Sequence, residues 1–192
     1  MNNAHVDRRV RKTKRSLRKA LTTLLLQKDL KDISVMELTD LADVNRGTFY
    51  LHYRDIYDLY ENTENQMLDE FKSIIDRHNL SNRKGVLFPV VLDAFEFLAE
   101  NADICIAILR SGDTAFLSKL IEMSKPKTQE EWRALVGQAD QESYEYYYAF
   151  ITYGCVGLLR TWFMNGMRES PKEMAGLAEH MIRNSGNRPG PV

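Results

Sequence analysis

Apolar residues recur at three-, four- and seven-residue spacings along almost the whole chain, and no other feature constrains its fold as strongly. Val10, Leu17, Leu21, Leu24 and Leu25 predict one amphipathic helix over residues 7–28. After a short connector, Ser34-Val35-Met36-Glu37 has the S-x-x-E form of a capping box. Leu38, Leu41 and Ala42 supply the apolar face of the short helix it opens. That helix should end near residues 43–45, with a third over 46–53. Asp55 opens a longer one to about residue 78, striped by Ile56, Leu59, Tyr60, Thr63, Met67, Leu68 and Phe71. A polar loop is expected at 79–85, then helices at 86–100, 103–111 and 113–124. Pro126 interrupts the helical run, since it lacks an N–H and clashes with the turn before it. A long aromatic helix follows at 138–166, and Ser170-Pro171 restarts the chain into a last helix to about 184. The tail, 185–192, should be disordered. Residues 86–91 have strand propensity but no hairpin partner nearby. The expected fold is all-α.

The chain's 192 residues suit one domain or two small ones. With 44% hydrophobic residues it can bury a core, which argues against wholesale disorder. No apolar run approaches the roughly 20 residues of a membrane span, and the basic N-terminus leads into no secretory h-region. Cys105 and Cys155 are isolated, so neither a disulfide framework nor a zinc site is expected, and a reducing cytoplasm fits.

A formal charge of −1 hides an asymmetry. Residues 1–55 carry 12 Lys and Arg against 7 Asp and Glu, and the remainder 14 against 20. From Arg8 to Lys19, eight of twelve residues are cationic and none is acidic. A basic head on an acidic body implies a polyanionic partner for the head alone. Within that head, two short helices joined by a tight turn describe a helix-turn-helix. Its second helix would enter the major groove, about 12 Å wide, with Asn45-Arg46-Gly47-Thr48 leading. Arg can bond a guanine edge with two donors, Gly allows close backbone approach, and Thr can reach a phosphate or a thymine methyl. Tyr50, His52 and Tyr53 follow, with groups able to donate to phosphate oxygens.

The stretch NRGTFYLHYRDIYDLYE resembles the recognition-helix signature of the TetR family of transcriptional regulators, with its Gly-Thr-aromatic-Tyr-x-His-aromatic core. The resemblance covers about residues 10–60. A second segment, YGCVGLLRTWFMNGMRESPKEMA, resembles the end of the C-terminal domain in one subgroup. The resemblance implies an N-terminal three-helix head with the helix-turn-helix (7–54) and a helical C-terminal ligand-binding and dimerisation body (55–184). It implies a homodimer on a palindromic double-stranded DNA operator, and a repressor whose affinity a small-molecule effector changes. Base-edge reading falls to Asn45, Arg46, Gly47 and Thr48, and phosphate anchoring to Tyr50, His52, Ser34 and Thr13. Two positions depart from the family pattern: Val35 and Met36 cannot donate hydrogen bonds, and Ile56 stands where a phosphate-gripping Lys is common. Arg54 and the basic first helix are the available substitutes.

Other readings compete. An enzyme would need a nucleophile–base pair or a metal cluster, and HExxH, GxSxG and P-loop patterns are all missing. No catalytic residue, cofactor or metal is therefore expected. A sequence-nonspecific architectural or membrane-surface protein would use the basic helix without needing the second short helix. The aromatics Tyr144, Tyr146, Tyr147, Tyr148, Phe150 and Tyr153 suit a dimer interface or core better than an effector cage. An effector cavity, if present, is expected among the aromatics of 95–116 and 147–150. Phe49 should be core and Tyr53 is divided between packing and phosphate.

Overall fold

The computed structural model describes residues 3–78, 87–111, 116, 119–120, 122–123 and 144–185, and every regular element among them is helical. The expected loop at 79–85, most of the helix at 113–124, Pro126, the start of the long helix at 138–143 and nearly all of the tail lie outside these residues. In chain order the helices are α1 (Asn3–Leu25), α2 (Val35–Ala42), α3 (Arg46–Tyr50), α4 (Ile56–His78), α5 (Leu87–Glu100), α6 (Ala102–Ser111), α7 (Tyr144–Met164) and α8 (Pro171–Ser185). A single 3₁₀ turn, Leu30–Asp32, occupies the first connector.

The chain forms two compact units, Met1–Met67 with Asp103–Gly112, and Leu68–Ala102 with Asp113–Val192. In the first, Leu17, Leu21 and Leu24 of α1 are buried with Leu38, Phe49, Ile56 and Leu59. Helix α6 belongs here too: its Ile104, Ala107 and Ile108 are buried, and the Arg110 guanidinium donates to the Leu26 carbonyl at 3.3 Å. In the second unit α8 packs chiefly on α5 and less extensively on α7. Phe95 meets Trp162 edge-on at 5.5 Å between centroids, and the Trp162 indole donates to the Glu169 carbonyl at 2.9 Å. Helix α4 is continuous through the chain positions where one unit gives way to the other.

Local chemistry sets the helix ends. Leu26, Gln27 and Lys28 continue α1 only as bonded turns, so the helix stops before the expected residue 28. Ser34 caps α2 as expected, its hydroxyl accepting from the Glu37 amide at 3.2 Å. The reciprocal half of the box does not form, because the Glu37 carboxylate pairs with Lys28 instead. Leu41, expected on the inner face, is half exposed. The inner stripe is Val35, Leu38, Thr39 and Ala42, and the Thr39 hydroxyl is satisfied by the Val35 and Met36 carbonyls. A complete capping box opens α8, where the sequence pattern marks Ser170-Pro171 as a restart without the Glu173 partner. The Ser170 amide donates to the Glu173 carboxylate at 2.7 Å, and the Glu173 amide to the Ser170 hydroxyl at 3.3 Å. The Ser170 amide, and then the Ser170 hydroxyl at 2.8 Å, donate to the Glu173 carboxylate and hold that carboxyl below its ordinary range.

Both cysteines are packing groups. Burial pushes the Cys105 thiol up to about 12 and the Cys155 thiol up to about 11. Thiolate is the reactive form, so at pH 8 an aromatic disulfide reagent should leave both untouched in the folded protein and label both on denaturation. Rapid labelling of the native chain would overturn that assignment.

Candidate nucleic-acid interface

The turn between α2 and α3 is built by backbone geometry. Asp43 adopts a left-handed conformation (φ 53°, ψ 46°). The Val44 amide reaches the Thr39 carbonyl at 3.0 Å and the Asp43 amide reaches Asp40 at 3.3 Å. This pair of bonds closes a helix and reverses the chain within a few residues. Asn45 then starts α3, its side-chain oxygen accepting from the Gly47 amide at 2.7 Å. A Cβ on Gly47 would meet that oxygen at 3.1 Å, so glycine accommodates the cap as well as leaving the outer surface flat.

Helix α3 is five residues long and stops before the expected residue 53. The His52 and Tyr53 amides both bond the Phe49 carbonyl, at 2.9 and 3.0 Å, which tightens the last turn and ends the α-helical ladder. Phe49 is 0% exposed and packs edge-on against Tyr50 at 5.3 Å. Tyr53 is buried as well, and burial together with the nearby Asp58 raises its phenol pKa, so packing accounts for it. On the outer side Arg46 donates to the Tyr50 hydroxyl at 3.3 Å, with its guanidinium 5.7 Å from that ring's centre. Sequence reading named both residues but not this coupling, which their four-residue spacing permits.

The other predicted contacts lie in the same compact unit. Ser34 and Gly47 are exposed, and Thr13, Thr48 and His52 half-buried. Arg8, Arg9, Arg11, Lys12, Lys14, Arg15 and Lys19 of α1 are exposed, with Arg18 half-buried. Ile56 is in the core, and its hydrocarbon side chain has no donor to offer a phosphate. Arg54, the suggested substitute, is well exposed and lies 3.6 Å from Asp58. The Asp58 carboxylate also accepts from the Arg54 amide at 2.8 Å, and the Asp55 side chain caps the Asp58 amide at 2.8 Å. The Arg54 amide first, then the Arg54 guanidinium and the Asn62 side chain, hold the Asp58 carboxyl below its ordinary range. Among the described residues no cluster of His, Cys, Asp and Glu suits a metal ion, and no helix is long and apolar enough to cross a membrane.

Comparison with known proteins agrees with this geometry. The family described as transcriptional regulator C-terminal region, of the TetR type, matches residues 86–184. No curated protein matches the sequence. Among solved structures, a TetR transcriptional regulator from Streptococcus agalactiae is 21% identical, with TM-score 0.64, over 94% of this chain and 99% of that one. The dihydroxyacetone kinase operon activator DhaS is 15% identical, with TM-score 0.60, over 91% and 96%. NalD, the secondary repressor of the MexAB-OprM multidrug efflux pump in Pseudomonas aeruginosa, is 15% identical, with TM-score 0.53, over 91% and 96%. At such identities these structures support the shared helical fold, while the matched region carries the family assignment. The chain belongs to the TetR family of transcriptional regulators.

Proposed function

We propose that residues 7–54 read a palindromic operator from a homodimer in the cytoplasm, that 55–184 dimerise and hold an effector, and that the protein is a repressor. The observation that carries this reading is the head itself. A capped α3 presents Arg46, Gly47 and Tyr50 outward, on the same unit as seven exposed cations of α1. Asn45, Arg46, Gly47 and Thr48 face base edges, while Thr13, Ser34, Tyr50 and His52 hold phosphate. Repression needs only occupancy of the operator, whereas activation needs a further surface for the transcription machinery. DhaS and NalD represent the two signs on one fold.

Dimerisation is supported by the outer face of α7, where Tyr146, Phe150 and Tyr153 are 80%, 68% and 71% exposed. Leu177 and Met181 of α8 are exposed as well, and a groove of about 560 Å³ lies between the two helices. Apolar side chains grouped this way mark an interface. Phe95 and Phe97, expected near an effector, are buried core rings. Regulation would follow from a ligand that prefers one spacing of the two heads, with α4 as the connecting lever, at a coupling of about 1–3 kcal/mol. A thermal-shift screen of metabolites, with operator binding measured for each hit, tests that part.

Selection of genomic fragments by the purified protein, with random DNA as competitor, tests the whole. The expected result is a two-fold symmetric sequence with half-sites about one helical turn, or a multiple of it, apart. Retention without sequence preference would support the architectural alternative instead.

A further inference from the structure

Leu51 is the most exposed large apolar side chain of the head, at 80%, and none of the roles above uses it. It closes α3, with its amide bonded to the Gly47 carbonyl at 3.3 Å, so Gly47 and Leu51 lie one turn apart on a single face. Arg46 and Tyr50 form the adjacent strip, one residue round the helix. A helical side chain leans back over the turn before its own Cα, which carries Leu51 toward Gly47, where no Cβ intervenes. The surface that Arg46 must bring to a base edge is thus half polar and half apolar. The cations of α1, with Arg46 and Arg54, draw this surface to a polyanion rather than to an apolar protein. Among base edges in the major groove only thymine offers a methyl group.

We propose that Leu51 packs on the 5-methyl of a thymine adjacent to the base read by Arg46, adding an apolar element to operator specificity. The contact rests on the operator reading proposed above. Its test begins with the consensus duplex obtained by selection, resynthesised with deoxyuridine at each thymine in turn, a change that removes the methyl and nothing else. At one thymine per half-site the wild-type protein should lose affinity about fourfold per contact. Leu51→Ala, which removes the contact in both half-sites, should lose that factor twice, about 16-fold, on the thymine duplex and be indifferent to uracil there, while Leu51→Met should keep the discrimination. At 80% exposure neither substitution removes core packing, and circular dichroism checks this. A uracil scan without cost, or a scan in which Leu51→Ala keeps every uracil penalty of the wild type, overturns the contact and leaves the operator reading standing. A selection that returns no consensus overturns both.

Discussion

Replacing Phe150 and Tyr153 together by Asp is expected to convert a dimer into a monomer and to reduce operator affinity by about 10²- to 10⁴-fold. Both side chains are mostly exposed in the single chain, so two carboxylates there should leave the fold of each copy intact. In a dimer the same carboxylates would be buried against apolar surface, and an unpaired buried charge costs several kcal/mol or more. The loss at DNA has a separate origin. Two linked heads bind the second half-site as an intramolecular event, and that gain in avidity disappears when the copies separate. Light scattering of wild type and variant at micromolar concentration, beside operator titrations, checks both halves. A wild-type mass equal to one chain, or a variant that keeps twice that mass, rejects α7 as the dimer face.

The second large effect is expected at Arg46. If its guanidinium bonds a base edge bidentately, Arg46→Ala should cost about 1–3 kcal/mol in each half-site and relax preference at one position. On a palindrome that amounts to about 2–6 kcal/mol in all, or a factor of roughly 30 to 20,000 at about 1.4 kcal/mol per tenfold. The structure adds a control. Arg46 lies along α3 against the Tyr50 hydroxyl and ring, so Tyr50 helps set the guanidinium's resting position. Tyr50→Phe keeps the ring and removes the hydroxyl, and should weaken all sequences about equally as a lost phosphate contact does. Binding assays on the consensus and on single-base variants separate the two patterns. Arg46→Ala with unchanged affinity and unchanged preference would show that another surface reads the DNA.

Much of this site is legible in the sequence alone. The Ser34 cap is a local pattern, and the hydroxyl that makes it lies three residues from the amide it serves. Phe49 as core followed from the need of a small head for one large ring, and it is fully buried. Interactions spanning a longer stretch were not legible. Glu37 was expected to bond back to its own helix start, yet it pairs with Lys28, nine residues away. Leu41 has the right residue type for the inner face but the wrong angular position, and the inner place goes to Thr39, whose hydroxyl bonds the Val35 and Met36 carbonyls. Leu51 is not distinguishable in the pattern, because its exposure of 80% is not written in the spacing of residues 46–53.

By itself the sequence determined the helical period, the helix caps that depend on neighbours three residues apart, the concentration of positive charge on α1 and the position of the two-helix motif. These are short-range properties, set by side-chain spacing and by bonds within a turn or two, and so they are written in consecutive residues. The tertiary structure decided which apolar residues face inward, that Tyr53 packs inside, and that α6 belongs to the compact unit that also holds α1, with Arg110 bonded to a carbonyl 84 residues earlier in the chain. Each of these depends on which groups distant in sequence compete for the same buried space or the same hydrogen-bond partner. That competition exists only once the chain has closed on itself.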